Sequence, residues 1–113
     1  MFFNSPYVKQ ANPADYSYKS KSVSNKNVKS GFLFIGVDWC GYCRMVKPEV
    51  DMLAQLVGAK IPVIFADADD KKYQKLLKDL EVKSFPSLYI IKNNKLVKYE
   101  GERTYRAFME KIN

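Results

Sequence analysis

Phe32-Leu33-Phe34-Ile35-Gly36-Val37-Asp38-Trp39-Cys40-Gly41-Tyr42-Cys43 is the stretch on which the architecture turns. Its first half, Phe32 to Val37, is a continuous apolar run, the pattern of a strand covered on both faces. After Cys40 the period changes. Met45, Val46, Val50, Leu53, Ala54, Leu56 and Val57 recur at the three- and four-residue spacing of an amphipathic helix. Pro48 lies inside that pattern and is expected to kink the helix, because it removes a backbone donor and crowds the previous turn. Gly58 offers a stop. The two cysteines therefore stand where a buried strand gives way to a helix, separated by two residues.

That placement carries chemistry. Free N–H groups and the dipole at a helix start stabilise a thiolate. Cys40 is expected to have a lowered pKa and to be the attacking sulfur. Cys43, one turn inside the helix, is expected to be more buried and to act as the resolving thiol. Attack by Cys40 on a disulfide forms a mixed disulfide, which Cys43 then cleaves. The plainer readings of the pair are half a metal site or two core cysteines. Half a site needs a second Cys or His pair, and the chain has two cysteines and no histidine.

Outward from this stretch, Ile61-Pro62-Val63-Ile64-Phe65-Ala66 reads as a second buried strand. Asp67, Asp69 and Asp70 supply helix caps, and Tyr73, Leu76, Leu77 and Leu80 form the inner face of a second helix. Lys71, Lys72, Lys75 and Lys78 read as its solvated face. Leu88-Tyr89-Ile90-Ile91 and Leu96-Val97-Lys98-Tyr99 form two strands around Asn93-Asn94, a tight turn in which Asn tolerates positive φ. Tyr105, Phe108, Met109 and Ile112 mark a last helix. Strands alternating with helices imply an α/β domain with a central sheet covered on both faces, and the hairpin makes that sheet mixed.

Composition narrows the function. The chain has 113 residues, the length of one domain. Without histidine there is no Ser-His-Asp triad, no Cys-His protease, no His-ligated zinc or haem and no imidazole base. Two cysteines exclude a multi-bridge disulfide scaffold. The longest apolar run is too short to cross a bilayer. The formal charge is +7, and residues 1–31 hold five lysines against one acid, Asp15. Scattered lysines without an arginine cluster or a nucleic-acid motif read as a solvated surface, not as a nucleic-acid site. Residues 1–31 form a polar, basic segment in which short strands at Phe2-Phe3 or Tyr7-Val8, and a weakly amphipathic helix between Asp15 and Val28, are open alternatives. No secretory pattern is visible, so the expectation is a cytoplasmic, intracellular protein whose cysteines serve catalysis.

Val37-Asp38-Trp39-Cys40-Gly41-Tyr42-Cys43-Arg44-Met45-Val46-Lys47-Pro48 resembles the active-site segment of the thioredoxin superfamily. The family carries Trp before the first cysteine, a basic residue after the second and a proline five residues past it; Trp39, Arg44 and Pro48 match. Ser84-Phe85-Pro86-Ser87-Leu88-Tyr89 resembles the family's cis-proline segment, with Pro86 the expected cis residue. Tyr99-Glu100-Gly101-Glu102-Arg103-Thr104 resembles the stretch before the last helix of protein disulfide isomerase domains. The resemblance covers residues 32–113 and implies a thioredoxin fold. Residues 1–31 would then supply a first strand and helix, or stand apart as a basic arm.

The implied activity is thiol–disulfide exchange with protein substrates, with reductase the first reading and oxidase or isomerase the second. A thioredoxin-fold binding adaptor using the basic arm is the rival. The resemblance implies no metal or organic cofactor beyond the Cys40–Cys43 disulfide. It implies an upstream reductase or thiol donor, a monomer, and neither nucleic acid nor membrane as a partner. Gly41, Tyr42 and Pro86 would shape the site, and Trp39, Tyr42, Phe85, Pro86 and Gly101 would contact substrate. One departure stands out. Family members usually bury an Asp or Glu six residues before the first cysteine, where it assists proton transfer at the resolving thiol. Here that position is Phe34, and the lysine often paired with it falls at about Phe65. Cys43 is therefore expected to lack a carboxylate partner. The Gly41-Tyr42 dipeptide also differs from the usual pairs of thioredoxins, disulfide isomerases and glutaredoxins.

Overall fold

A computed structural model describes residues 3–112. In chain order it contains β1 (Lys9–Gln10), β2 (Tyr16–Lys19), β3 (Ser22–Asn25), β4 (Ser30–Gly36), α1 (Gly41–Val57), β5 (Val63–Asp67), α2 (Gln74–Asp79), β6 (Ser87–Lys92), β7 (Lys95–Lys98) and α3 (Tyr105–Ile112). Short 3-10 turns at Pro13–Asp15 and Lys71–Tyr73 precede β2 and α2. The strands form one sheet in the order β1-β5-β4-β6-β7-β3-β2. β4 runs parallel to β5, and β5 to β1; every other pairing is antiparallel.

β4 lies at the centre because its residues are apolar on both faces. Phe32 and Phe34 point to the side covered by α1 and α3, in a cluster with Val50, Leu53, Phe65 and Phe108. Leu33 and Ile35 point to the other side, with Ile64, Tyr73, Tyr89 and Ile91 beneath α2. Burying each such side chain contributes about 1.5–3 kcal/mol. Tyr73 also donates to the Ala11 carbonyl at 2.6 Å, tying the α2 side to the chain after β1. α1 buries Cys43, Val46, Val50, Leu53 and Ala54. Met45 and Leu56, expected on that inner face, are exposed instead. Gly58 ends α1 in right-handed backbone, not in a left-handed cap. A Cβ there would lie 2.4 Å from the Ala54 carbonyl oxygen, so only glycine closes this turn.

The N-terminal segment departs from the expected pattern. No helix forms between Asp15 and Val28; β2 and β3 make a hairpin there and join the sheet beyond β7, where Ser24 pairs with Lys95. The first strand is Lys9–Gln10, just past Tyr7-Val8. Phe3 is buried outside any strand, and Phe2 lies outside the described residues. The basic segment is thus no free arm: β1 lies at one edge of the sheet and the β2–β3 hairpin at the other. Asn25 locks the junction. Its side-chain oxygen accepts from the Asn27 and Val28 N–H groups, and its own N–H donates to the Asn94 carbonyl at 2.7 Å.

Candidate active site

The site forms where β4 ends and α1 begins. Cys40 is the N-cap of α1 in extended backbone, so its sulfur faces the first turn and accepts from the Cys43 N–H at 3.3 Å. On its other side the Cys40 thiol donates to the Phe85 carbonyl at 3.5 Å. Cys40 is half-buried and Cys43 fully buried. Partial burial of Cys40 by itself raises its pKa. Hydrogen bonds from the Cys43 thiol and from the Cys43 and Tyr42 backbone, with the charge of Arg103, outweigh it and hold the thiol below its ordinary value. Burial pushes Cys43 the other way, up to about 12, reinforced by its hydrogen bond to Cys40 and by the charge on that sulfur.

Opposite the cysteines lies the loop before β6, whose Phe85–Pro86 peptide bond is cis. Phe85 is half-buried and Pro86 buried. Trp39 and Tyr42 are each 66% exposed, so they form an apolar rim beside Cys40. The Trp39 ring meets Phe85 edge-on with centroids 5.9 Å apart, and its indole N–H donates to Asp69 at 3.1 Å. Arg44 anchors the loop before Cys40 by donating to the Asp38 carbonyl at 2.7 Å. Gly41 is open to solvent, with nothing within 4 Å of an added Cβ.

Gly101 is fixed by a neighbouring ring. A Cβ there would sit 2.6 Å from the Tyr99 hydroxyl, which donates to the Glu102 carbonyl. This bond and two caps on α3 fix the loop that carries Arg103. Glu49 of α1 accepts from the Tyr105 N–H at 2.9 Å, and Thr104 accepts from the Ala107 N–H. Arg103 and Asp69 were invisible as site residues in the sequence, because each reaches its partner across the fold. The only signal was Arg103's place in the Tyr99–Thr104 stretch.

Beneath Cys43 there is aromatic packing and no carboxylate, as expected from Phe34. Phe34 and Phe65 are fully buried with centroids 5.3 Å apart, and Phe3 closes the group with edge contacts of 5.9 and 5.5 Å. A Cβ on Gly36 would lie 2.7 Å from the Phe34 ring and 3.2 Å from the Cys43 sulfur, so ring and thiol line the same small space. Among the described residues, no group of three or more His, Cys, Asp or Glu side chains is placed to hold a metal, and no helix is long and apolar enough to cross a membrane.

The chain is matched among known proteins. The Thioredoxin family matches residues 14–113. Protein disulfide isomerase-like 5-2 of Oryza sativa subsp. japonica is 32% identical over 85 residues, covering 73% of this chain and 20% of that protein. Among solved structures, the J-Trx1 fragment of ERdj5 superposes with a TM-score of 0.72 at 20% identity, over 94% of this chain and 50% of that one. Thioredoxin f from spinach chloroplast gives 0.67 at 23% identity, over 93% and 89%. The chain belongs to the thioredoxin family. It spans between 12% and 20% of the length of the first five curated relatives, each named a protein disulfide isomerase.

Proposed function

We propose that the protein is a thiol–disulfide oxidoreductase acting on polypeptide substrates, with Cys40 the nucleophile and Cys43 the resolving thiol. The observation that carries this reading is the Cys40 sulfur at the α1 N-cap, receiving the Cys43 N–H at 3.3 Å above a buried Cys43 thiol. In the reducing direction the Cys40 thiolate attacks one sulfur of a substrate disulfide. A mixed disulfide forms and the other substrate sulfur leaves as a thiolate, which takes up a proton. Cys43 then gives up its proton and attacks the Cys40 sulfur. The Cys40–Cys43 bond forms and the second substrate sulfur departs; the substrate gains two electrons and the pair loses them. An upstream reductase or thiol donor restores the dithiol.

Trp39, Tyr42 and Phe85 would offer an apolar rim to an extended chain. The Phe85 backbone beside Pro86 would pair with a substrate strand, as in strand addition, and Gly101 would admit it closely. Reduction of protein disulfides in a reducing, cytoplasmic compartment is the direction we carry to experiment; its support is a Cys40 thiol at a helix start, held below its ordinary pKa. Two observations favour the reverse direction, oxidation or isomerisation. A stabilised Cys40 thiolate is also a good leaving group, and the relatives are named disulfide isomerases.

The reduction potential of the Cys40–Cys43 pair, measured by equilibration with glutathione buffers, separates the two. A value near about −270 mV supports the reductase, and one near about −180 mV or above supports the oxidase or isomerase. A pair that forms no intramolecular disulfide overturns both.

A further inference from the structure

α3 packs on β4 and β6, and on the same sheet face Val97 of β7 stays exposed. An open cleft of about 420 Å³ lies there. Its floor is apolar: Ile90 pairs across the strands with Val97, which is 54% exposed, and Tyr99 continues the surface. Its rim carries Lys92 and Lys111 against one acid, Glu100. Neither of these lysines has an ion-pair partner among the described residues. A second cleft of about 410 Å³ shares Lys98, Tyr99, Glu100 and Gly101 with the first and reaches Pro86 and Arg103 at the active site. The two clefts are thus neighbours, one beside the cis-proline and the other over a lysine-rimmed apolar floor.

We infer that the β7 cleft is a docking site for the substrate polypeptide itself. It takes a segment flanking the target disulfide that bears an apolar side chain for the Ile90–Val97 floor and acidic side chains for Lys92 and Lys111. The inference rests on the proposed disulfide exchange and names the class of substrate that exchange prefers. Two features support this occupant. A chain seated beside Pro86 and running over the residues the two clefts share brings its flank to the lysines. The rim is cationic around an apolar floor, which complements an acidic segment with an apolar anchor and disfavours a basic one.

The test compares three disulfide substrates on the full chain. One is a peptide with Leu-Glu-Glu flanking a cysteine, one carries Leu-Lys-Lys at the same place, and one is a small aromatic disulfide that cannot reach the cleft. At low salt the acidic peptide is expected to show the higher kcat/KM, and added salt is expected to erase the difference. Lys92→Gln with Lys111→Gln lowers kcat/KM for the acidic peptide between about twofold and tenfold, since each exposed ion pair is weak. The same change leaves the small disulfide unchanged. Lys71→Gln with Lys78→Gln, an equal loss of charge on the α2 side, leaves the acidic peptide's advantage intact, whereas Val97→Ser lowers both peptides. A protein active on the small disulfide but indifferent to the sign of the flanking charge overturns this inference alone. So does an equal response to the two lysine pairs. A protein inert toward the small disulfide overturns the exchange reading and this site with it.

Discussion

Phe34 concentrates the difference between this site and the pattern its sequence resembles. A buried thiol held up to about 12 must lose its proton before it can resolve a mixed disulfide. A carboxylate at position 34 would accept that proton; a phenyl ring cannot. Phe65 and Phe3 change the surroundings to suit, turning a polar pocket into a packed aromatic group. Phe34→Asp is expected to speed resolution at neutral pH by about tenfold or more, within what positioned acid–base groups supply. Burial would raise the new carboxyl's pKa toward neutrality, where a proton acceptor works best. The same change is expected to cost about 3–5 kcal/mol or more of stability, as for other losses of a core ring. Single-turnover rates of mixed-disulfide decay, read beside Phe34→Leu, check this: the leucine variant loses stability without gaining speed. Folded Phe34→Asp protein with an unchanged decay rate would exclude a proton-transfer deficit. At this scale the sequence was legible wherever a motif is contiguous, as for Cys40, Cys43 and the cis Pro86. Phe34 is legible by its distance of six residues from Cys40. Phe3 is not, since nothing local says that the chain's beginning folds over a ring on β4.

Among the elements, β4, α1, β5, β6, β7 and α3 follow directly from apolar runs and helical spacing. The β2–β3 hairpin does not, and its turn explains why. Ser20 and Lys21 both adopt positive φ, 53° and 60°, as a two-residue turn of the primed kind requires. Neither is a residue that favours that backbone, so the sequence gives no turn signal between Tyr16 and Asn25. The alternation is there, with Tyr16, Tyr18 and Val23 on one face and Ser17, Lys19, Ser22 and Ser24 on the other, but serine and lysine weaken it. At Asn93-Asn94 the φ values are 52° and 70°, and there the sequence does announce the turn. A left-handed non-glycine residue costs about 1–2 kcal/mol. Lys21→Gly is therefore expected to stabilise the protein by up to about 1 kcal/mol, less the extra entropy glycine gives the unfolded chain. In a domain of this size that is a rise in Tm of a few degrees. Thermal melts of Lys21→Gly beside Lys19→Gly, which places glycine inside β2 and should lower Tm, test it. A fall in Tm for both would mean that the turn is not strained.

For the whole molecule, redox state and folding stability are linked through the two thiols. In the unfolded chain both cysteines titrate near the ordinary value of about 8.5. In the folded dithiol form Cys40 ionises below that value and Cys43 not until about 12. Between the lowered Cys40 pKa and about 8.5 the unfolded chain binds more protons than the folded one, so the reduced form gains stability as pH rises. Above about 8.5 the sign reverses. The unfolded chain then loses both protons, the folded one keeps that of Cys43, and stability falls. The disulfide form has neither thiol, so the difference between reduced and oxidised stability isolates this effect. Burial also raises the pKa of Tyr16, Tyr73, Tyr89 and Tyr99, but those contributions are common to both forms and cancel. The gap between reduced and oxidised stability is therefore expected to shift toward the reduced form up to about pH 8.5 and to fall away beyond it. Each 1.4 kcal/mol of that gap corresponds to about 30 mV in the reduction potential of the folded pair relative to the unfolded one. Denaturant unfolding of both forms from about pH 6 to about pH 10 measures it. A gap that stays flat across that range would mean that the Cys43 and Tyr42 hydrogen bonds and Arg103 do not lower the Cys40 pKa, and the proposed attacking sulfur would lose its physical basis.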